Sequence, residues 1–167
     1  MRFLNQKHSR DVYFKGIIPS VLYCIAIWGS CTKVNMDKIN SIHLKAARFI
    51  ERLKKSVPDC DVLYLAKWKS ISWYYKRRSM CITHKLFYGN DPNKNLIERK
   101  PINRNLRNIL QIKRRQFNYV KYNNSFSYRC ASIWNKLDDK IKNLDYDQFK
   151  KRVSNNINLL ENINIYS

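Results

Sequence analysis

Glycine is nearly absent from this chain: Gly16, Gly29 and Gly89 are its three glycines in 167 residues. That excludes the glycine-rich loops that bring backbone amides onto phosphates, and no serine or cysteine stands in a nucleophile motif. Acid is scarce too. Twelve Asp and Glu face thirty-three Lys and Arg, a formal charge of +21 with a pI of about 10.0. A folded protein tolerates such an excess mainly beside an anionic partner. The longest apolar run, between Lys15 and Lys33, holds roughly twelve residues, where a membrane-spanning helix needs roughly 20. Nucleic acid (RNA, DNA or a hybrid) is therefore the expected partner, and a membrane is not. The start Met1-Arg2-Phe3-Leu4-Asn5 opens no continuous apolar stretch and no small-residue cleavage site, so no secretory signal is expected. The five cysteines Cys24, Cys31, Cys60, Cys81 and Cys130 are odd in number and widely spaced, as reduced thiols are, and not as a disulfide framework is. Together these place the protein inside the cell, in nucleus or cytoplasm. Cys81 and His84 fall three apart on a helical pattern, but no second close pair joins them. Neither a metal, a cofactor nor a small-molecule substrate is expected.

What the chain does have is helical periodicity and clustered cations. The run from Gly16 to Gly29 is too apolar all round to face water as a helix, which predicts a buried spine with Pro19, Tyr23 and Trp28 in the core. Asp11 is placed to cap it, and Pro19 to kink it, because proline removes a donor and crowds the preceding turn. From Met36 to Lys55 the pattern predicts an amphipathic helix. Ile39, Ile42, Phe49 and Leu53 form its packed stripe, and Lys45, Arg48, Arg52 and Lys55 form a basic face that either is merely solvated or attracts anions. A short helix capped at Asp59 or Asp61 follows, then one opened by Ser70 or Ser72 and running to Tyr88, stopped by Gly89-Asn-Asp-Pro92. Within it Lys76, Arg77 and Arg78 lie beside Trp73, Tyr74 and Tyr75. These aromatics are either core or a surface where bases stack and phosphates pair.

Residues 94 to 121 change character, with nine Lys and Arg against the single acid Glu98. Arg104, Arg107, Lys113, Arg114 and Arg115 suit phosphate contact, since counterion release rewards dense positive charge, although a plain solvated linker has the same composition. Phe117, Tyr119 and Tyr122 alternate with polar residues as a short strand would. Thereafter Ser125 can cap a helix carrying Trp134, and Asp145 a second carrying Phe149, both aromatics being expected in the core. The expected organisation is mainly α: a helical bundle over 1–92, a basic linker or arm over 93–122 with a short possible strand, and a C-terminal helical segment over 123–167.

The blocks Ile18-Pro-Ser-Val-Leu-Tyr-Cys-Ile-Ala-Ile-Trp-Gly29, Ile42-His-Leu-Lys-Ala-Ala-Arg-Phe-Ile50, Asp91-Pro92 and Ser125-Phe-Ser-Tyr-Arg-Cys-Ala-Ser-Ile-Trp-Asn135, followed by Phe149-Lys150, resemble in order the carboxy-terminal region of jockey-like non-LTR retrotransposon reverse transcriptases. The resemblance covers about residues 11 to 153, and Leu137-Asp138 stands where that family commonly has Leu-Pro. It implies a thumb and downstream extension, a helical body that holds template and growing strand behind the active site, without the polymerase palm. Two-metal nucleotidyl transfer needs converging carboxylates, which the family presents as Tyr-x-Asp-Asp. Asp138-Asp139 lacks the tyrosine and a preceding apolar strand, so no catalysis is expected. Three readings remain open at this level: a nucleic-acid grip that ignores base sequence, a remnant or interaction module that docked on the palm, and an independent basic RNA-binding protein.

Overall fold

The computed structural model describes residues 5–89, 92–99, 110–114 and 125–156. They are mainly α-helical, as the periodicity predicts, and their extended pairing is an isolated antiparallel bridge between Arg99 and Ile112. The aromatic alternation at Phe117, Tyr119 and Tyr122 lies outside the described residues. Contacts group the chain into two compact units, 1–75 and 76–167. The sequence placed its limits elsewhere, at 92 and 122, where composition changes.

The first unit opens with α1 (Gln6–Val12), a π-helical turn (Tyr13–Ile17), α2 (Ile18–Leu22) and α3 (Ile25–Trp28). Asn5, not Asp11, caps this start, its side-chain oxygen accepting from the Lys7 amide; Asp11 instead pairs with Lys15 one turn on. The π turn directly precedes α2, where Pro19 in the first turn offers no amide to the turn before it. The sharper break comes later. Cys24 adopts a left-handed conformation at φ 52°, and Trp28 Nε1 donates to the Tyr23 carbonyl across the gap.

The spine is therefore not one buried helix. Ile18, Ile25 and Ala26 are buried, whereas Tyr23 is 77% exposed, Pro19 is exposed and Trp28 is only partly covered. Gly29 is required where the spine ends, because a Cβ there would strike the Tyr75 ring and the Ile25 carbonyl.

α4 (Lys33–Ile50) is shorter than the pattern predicted, so Arg52 and Lys55 lie beyond its end, Arg52 at φ 53°. It packs on α1 and α5 (Asp59–Ala66). Its buried positions are Met36, His43, Ala47 and Ile50, roughly a quarter turn from the predicted stripe. Phe49, expected in the core, is 73% exposed. The reason is polar. His43 is buried because both ring nitrogens find partners, and Asn40 bonds Ser72 Oγ and the Ile71 amide at the start of the helix that begins at Ile71. A count of apolar side chains cannot see a seam held by hydrogen bonds.

α6 (Ile71–Tyr88) begins in the first unit and continues into the second; Ser70 Oγ accepts from the Trp73 amide at its start, and Gly89 follows its end. In the second unit a 3₁₀ turn (Pro92–Leu96) precedes α7 (Phe126–Asn135), α8 (Asp139–Lys142) and α9 (Tyr146–Asn155). Ser125 and Asp145 cap α7 and α9 as expected. The intervening α8 was not anticipated; Asp138 caps it, and Asp139 holds the buried Lys142 at 2.7 Å. Trp134 and Phe149 are fully buried, packed with His84 and Phe87. Segment 110–114 is fastened to α7 by the Asn135 carboxamide, which donates to the Ile112 carbonyl and accepts from its amide, and by Trp134 Nε1 on the Leu110 carbonyl.

Candidate nucleic-acid interface

In the first unit, α1 and the π turn bring Arg10, Asp11 and Phe14 against the connection Lys67-Trp68-Lys69 and against Tyr74 of α6, enclosing a cleft of about 350 Å³. Trp68 is its floor: it is buried and lies 5.0 Å from Tyr13 in a near-parallel stack and 4.7 Å from Phe14 edge-on. Its Nε1 donates to Glu51, which also receives Gln6 and sits 3.5 Å from Arg10. Lys67 closes α5 in a left-handed conformation at φ 56°, an uncommon state for a side chain other than glycine or asparagine.

A buried relay fixes this connection. His43 Nε2 bonds the Lys69 carbonyl at 2.9 Å, so that nitrogen carries the proton, and Nδ1 accepts the Tyr13 hydroxyl at 2.7 Å. Burial pushes His43 below its usual range, opposed by the bond to Lys69, and pushes the Tyr13 hydroxyl up, with the neighbouring Tyr74 adding in the same direction. Both therefore stay neutral at pH 7. The cations Arg10, Lys67 and Lys69 at the mouth face two local acids: Asp11, whose carboxylate is engaged by Lys15, and Glu51, which pairs with Arg10 beneath the cleft and accepts from Trp68. Cations around half-buried rings are the surface on which phosphates pair and bases stack.

The outward face of α4 mixes charge with apolar surface: Val34, Lys38, Ile42, Lys45 and Phe49 fall on one exposed stripe. Of the basic face expected from sequence, Lys45, Arg52 and Lys55 are exposed. Arg48 is not a free cation. Its guanidinium donates to the carbonyls of Lys54 and Val57 and to Asp59 at 2.6 Å, bracing the turn after α4.

In the second unit Lys76 is buried, Arg77 Nε donates to Ser154 Oγ, and Arg78 is exposed. Lys113 pairs with Glu98 at 2.9 Å and Arg114 donates to Ser132. Arg104, Arg107 and Arg115 lie outside the described residues. Among the described residues no group of three His, Cys, Asp or Glu side chains is positioned to hold a metal, and no helix is long and apolar enough to cross a membrane. His84 bonds the Leu144 carbonyl, and burial drives the Cys81 thiol upward.

Sequence reasoning missed Arg10, Phe14, Lys67, Trp68, Lys69 and Tyr74 as a group, since they come from separate stretches and no local spacing joins them. The one local signal is Lys67-Trp68-Lys69, cations flanking an aromatic directly after a helix end. No family model, no curated protein and no solved structure matches the chain.

Proposed function

We propose that the chain grips the phosphate backbone of nucleic acid without catalysing a reaction, as the thumb and downstream part of a jockey-like non-LTR retrotransposon reverse transcriptase. The observation that carries this reading is the cleft ringed by Arg10, Lys67 and Lys69 over Phe14, Trp68 and Tyr74, in a chain of formal charge +21. Contacts of this kind position a protein on a strand and carry little base information. The family assignment rests on the ordered sequence blocks alone. The one adjacent acid pair they leave to consider has other work, Asp138 as the cap of α8 and Asp139 as the partner of Lys142.

Binding of the purified chain to an RNA–DNA hybrid, a DNA duplex and an RNA hairpin across a salt series tests the proposal. Affinity that falls steeply with salt for a cooperatively folded chain supports it; no binding at low salt overturns it.

A second reading has its own support. Val12, Ile17, Tyr23, Ile27, Val34, Ile42 and Phe49 are large apolar side chains exposed in the first unit, as they would be on a module that docks against a polymerase palm. Self-association of the pure chain through this unit, relieved by Ile27→Ser and Phe49→Ser, favours that reading.

A further inference from the structure

The second unit holds a larger cleft, of about 730 Å³, that the backbone-gripping role does not use. α6 supplies His84, Lys85 and Tyr88, and the turn from α8 into α9 supplies Asn143, Leu144, Asp145 and Tyr146. Its floor is rigid: His84 is buried, bonds the Leu144 carbonyl at 2.9 Å and lies 4.4 Å from the Phe149 ring. Tyr88 and Tyr146 flank that imidazole at 4.8 and 5.9 Å, Tyr88 substantially exposed and Tyr146 half-buried. Polar groups are few. The Tyr88 hydroxyl donates to Asn143 Oδ1 at 3.4 Å, and Lys85 Nζ sits 4.6 Å over the Tyr146 ring. The Asp145 carboxylate at the mouth accepts from the amides of Asp147 and Gln148 as the cap of α9.

We propose that this cleft takes up an unpaired nucleobase between Tyr88 and Tyr146, with the Asn143 carboxamide at the base edge and Lys85 at its phosphate, giving the chain a preference for single strands. The inference rests on the nucleic-acid reading but adds a separate site. Tyrosine walls with one amide and one cation, beside the capping Asp145 carboxylate, match a planar heterocycle whose phosphate lies at Lys85, and stacking on tyrosine tolerates any base because every base has a π-face. A paired base cannot enter without leaving its helix.

The test uses the full chain with 12-nucleotide single strands of DNA and RNA carrying 2-aminopurine, and with a blunt duplex of the same length. Wild type is expected to quench 2-aminopurine. Tyr88→Ala and Tyr146→Ala are each expected to lower single-strand affinity by about five- to 150-fold and leave duplex affinity unchanged, whereas Tyr146→Trp retains quenching. Circular dichroism checks the fold, and Lys85→Gln, a change at an exposed side chain, gives a second variant expected to weaken single-strand binding. Folded alanine variants that bind single strands as wild type does, or that lose duplex and single-strand binding in parallel, overturn the site while leaving backbone binding intact. A wild type that binds neither ligand overturns both.

Discussion

Removing one oxygen, by Tyr13→Phe, cuts the 2.7 Å bond to His43 Nδ1 while keeping the ring that stacks on Trp68. His43 is 2% exposed, so water does not replace the hydroxyl. A buried acceptor left without a donor costs about 1–3 kcal/mol. For a chain of this length 1 kcal/mol moves the melting temperature by roughly 2–4 °C, so the expected fall is about 2–12 °C in thermal melts followed by circular dichroism at pH 7.5. Burial of two histidines, His43 in this relay and His84 in the second unit, fixes the sign of a pH effect. His43 and His84 are both held below their usual range by burial, so the folded state disfavours a proton that the unfolded chain accepts below about pH 6.5. Their contribution is complete above that pH and is lost as pH falls toward the depressed folded values, so wild type should melt lower at pH 5.5 than at pH 7.5. A Tyr13→Phe chain that melts within about 1 °C of wild type at pH 7.5 would refute the relay, and with it the claim that Lys69 is held in place from below.

Other substitutions probe the same packing. Gly29→Ala forces a methyl into the Tyr75 ring and the Ile25 carbonyl and should cost about 1–3 kcal/mol in urea unfolding; an unchanged midpoint contradicts the close approach. Arg48→Met removes the brace on the turn after α4, and should lower stability by about 1–3 kcal/mol with nucleic-acid affinity preserved; lost affinity at full stability would return Arg48 to the binding face. Cys24 and Cys60 are exposed, whereas Cys130 is buried and its thiol is pushed up to about 12. Ellman's reagent at pH 8 should therefore label Cys24 and Cys60 in the native chain and reach Cys130 only after denaturation.

Element positions were largely legible because they depend on local chemistry. Ser70, Ser125 and Asp145 accept from the amides where a cap is needed, and Gly89 follows α6 where the breaker group predicted a stop. Which face a helix buries was less legible. α4 turns a histidine and an asparagine inward because each is hydrogen-bonded, and Ile42 and Phe49 are thereby left outside. The spine misled for a related reason: apolar composition predicted full burial, but the left-handed Cys24 divides it and exposes Tyr23 and Ile27. Cation clusters were easy to find and hard to interpret. Arg48 and Arg77 sit in basic runs yet are engaged by the chain itself, and Arg10, itself paired with Glu51, meets Lys67 and Lys69 only in three dimensions.

Phosphate binding at the Lys67–Lys69 cleft is read from the slope of log affinity against log salt for a DNA duplex, compared between wild type and the double variant Lys67→Gln, Lys69→Gln. The substitutions leave the Lys69 carbonyl available to His43, so the melting temperature should hold. Each phosphate contact contributes about 0.9 to the slope. A folded double variant whose slope is shallower by about 2, with weaker binding at low salt, is the predicted result. A double variant with the wild-type slope and affinity would show that this cleft does not take phosphate.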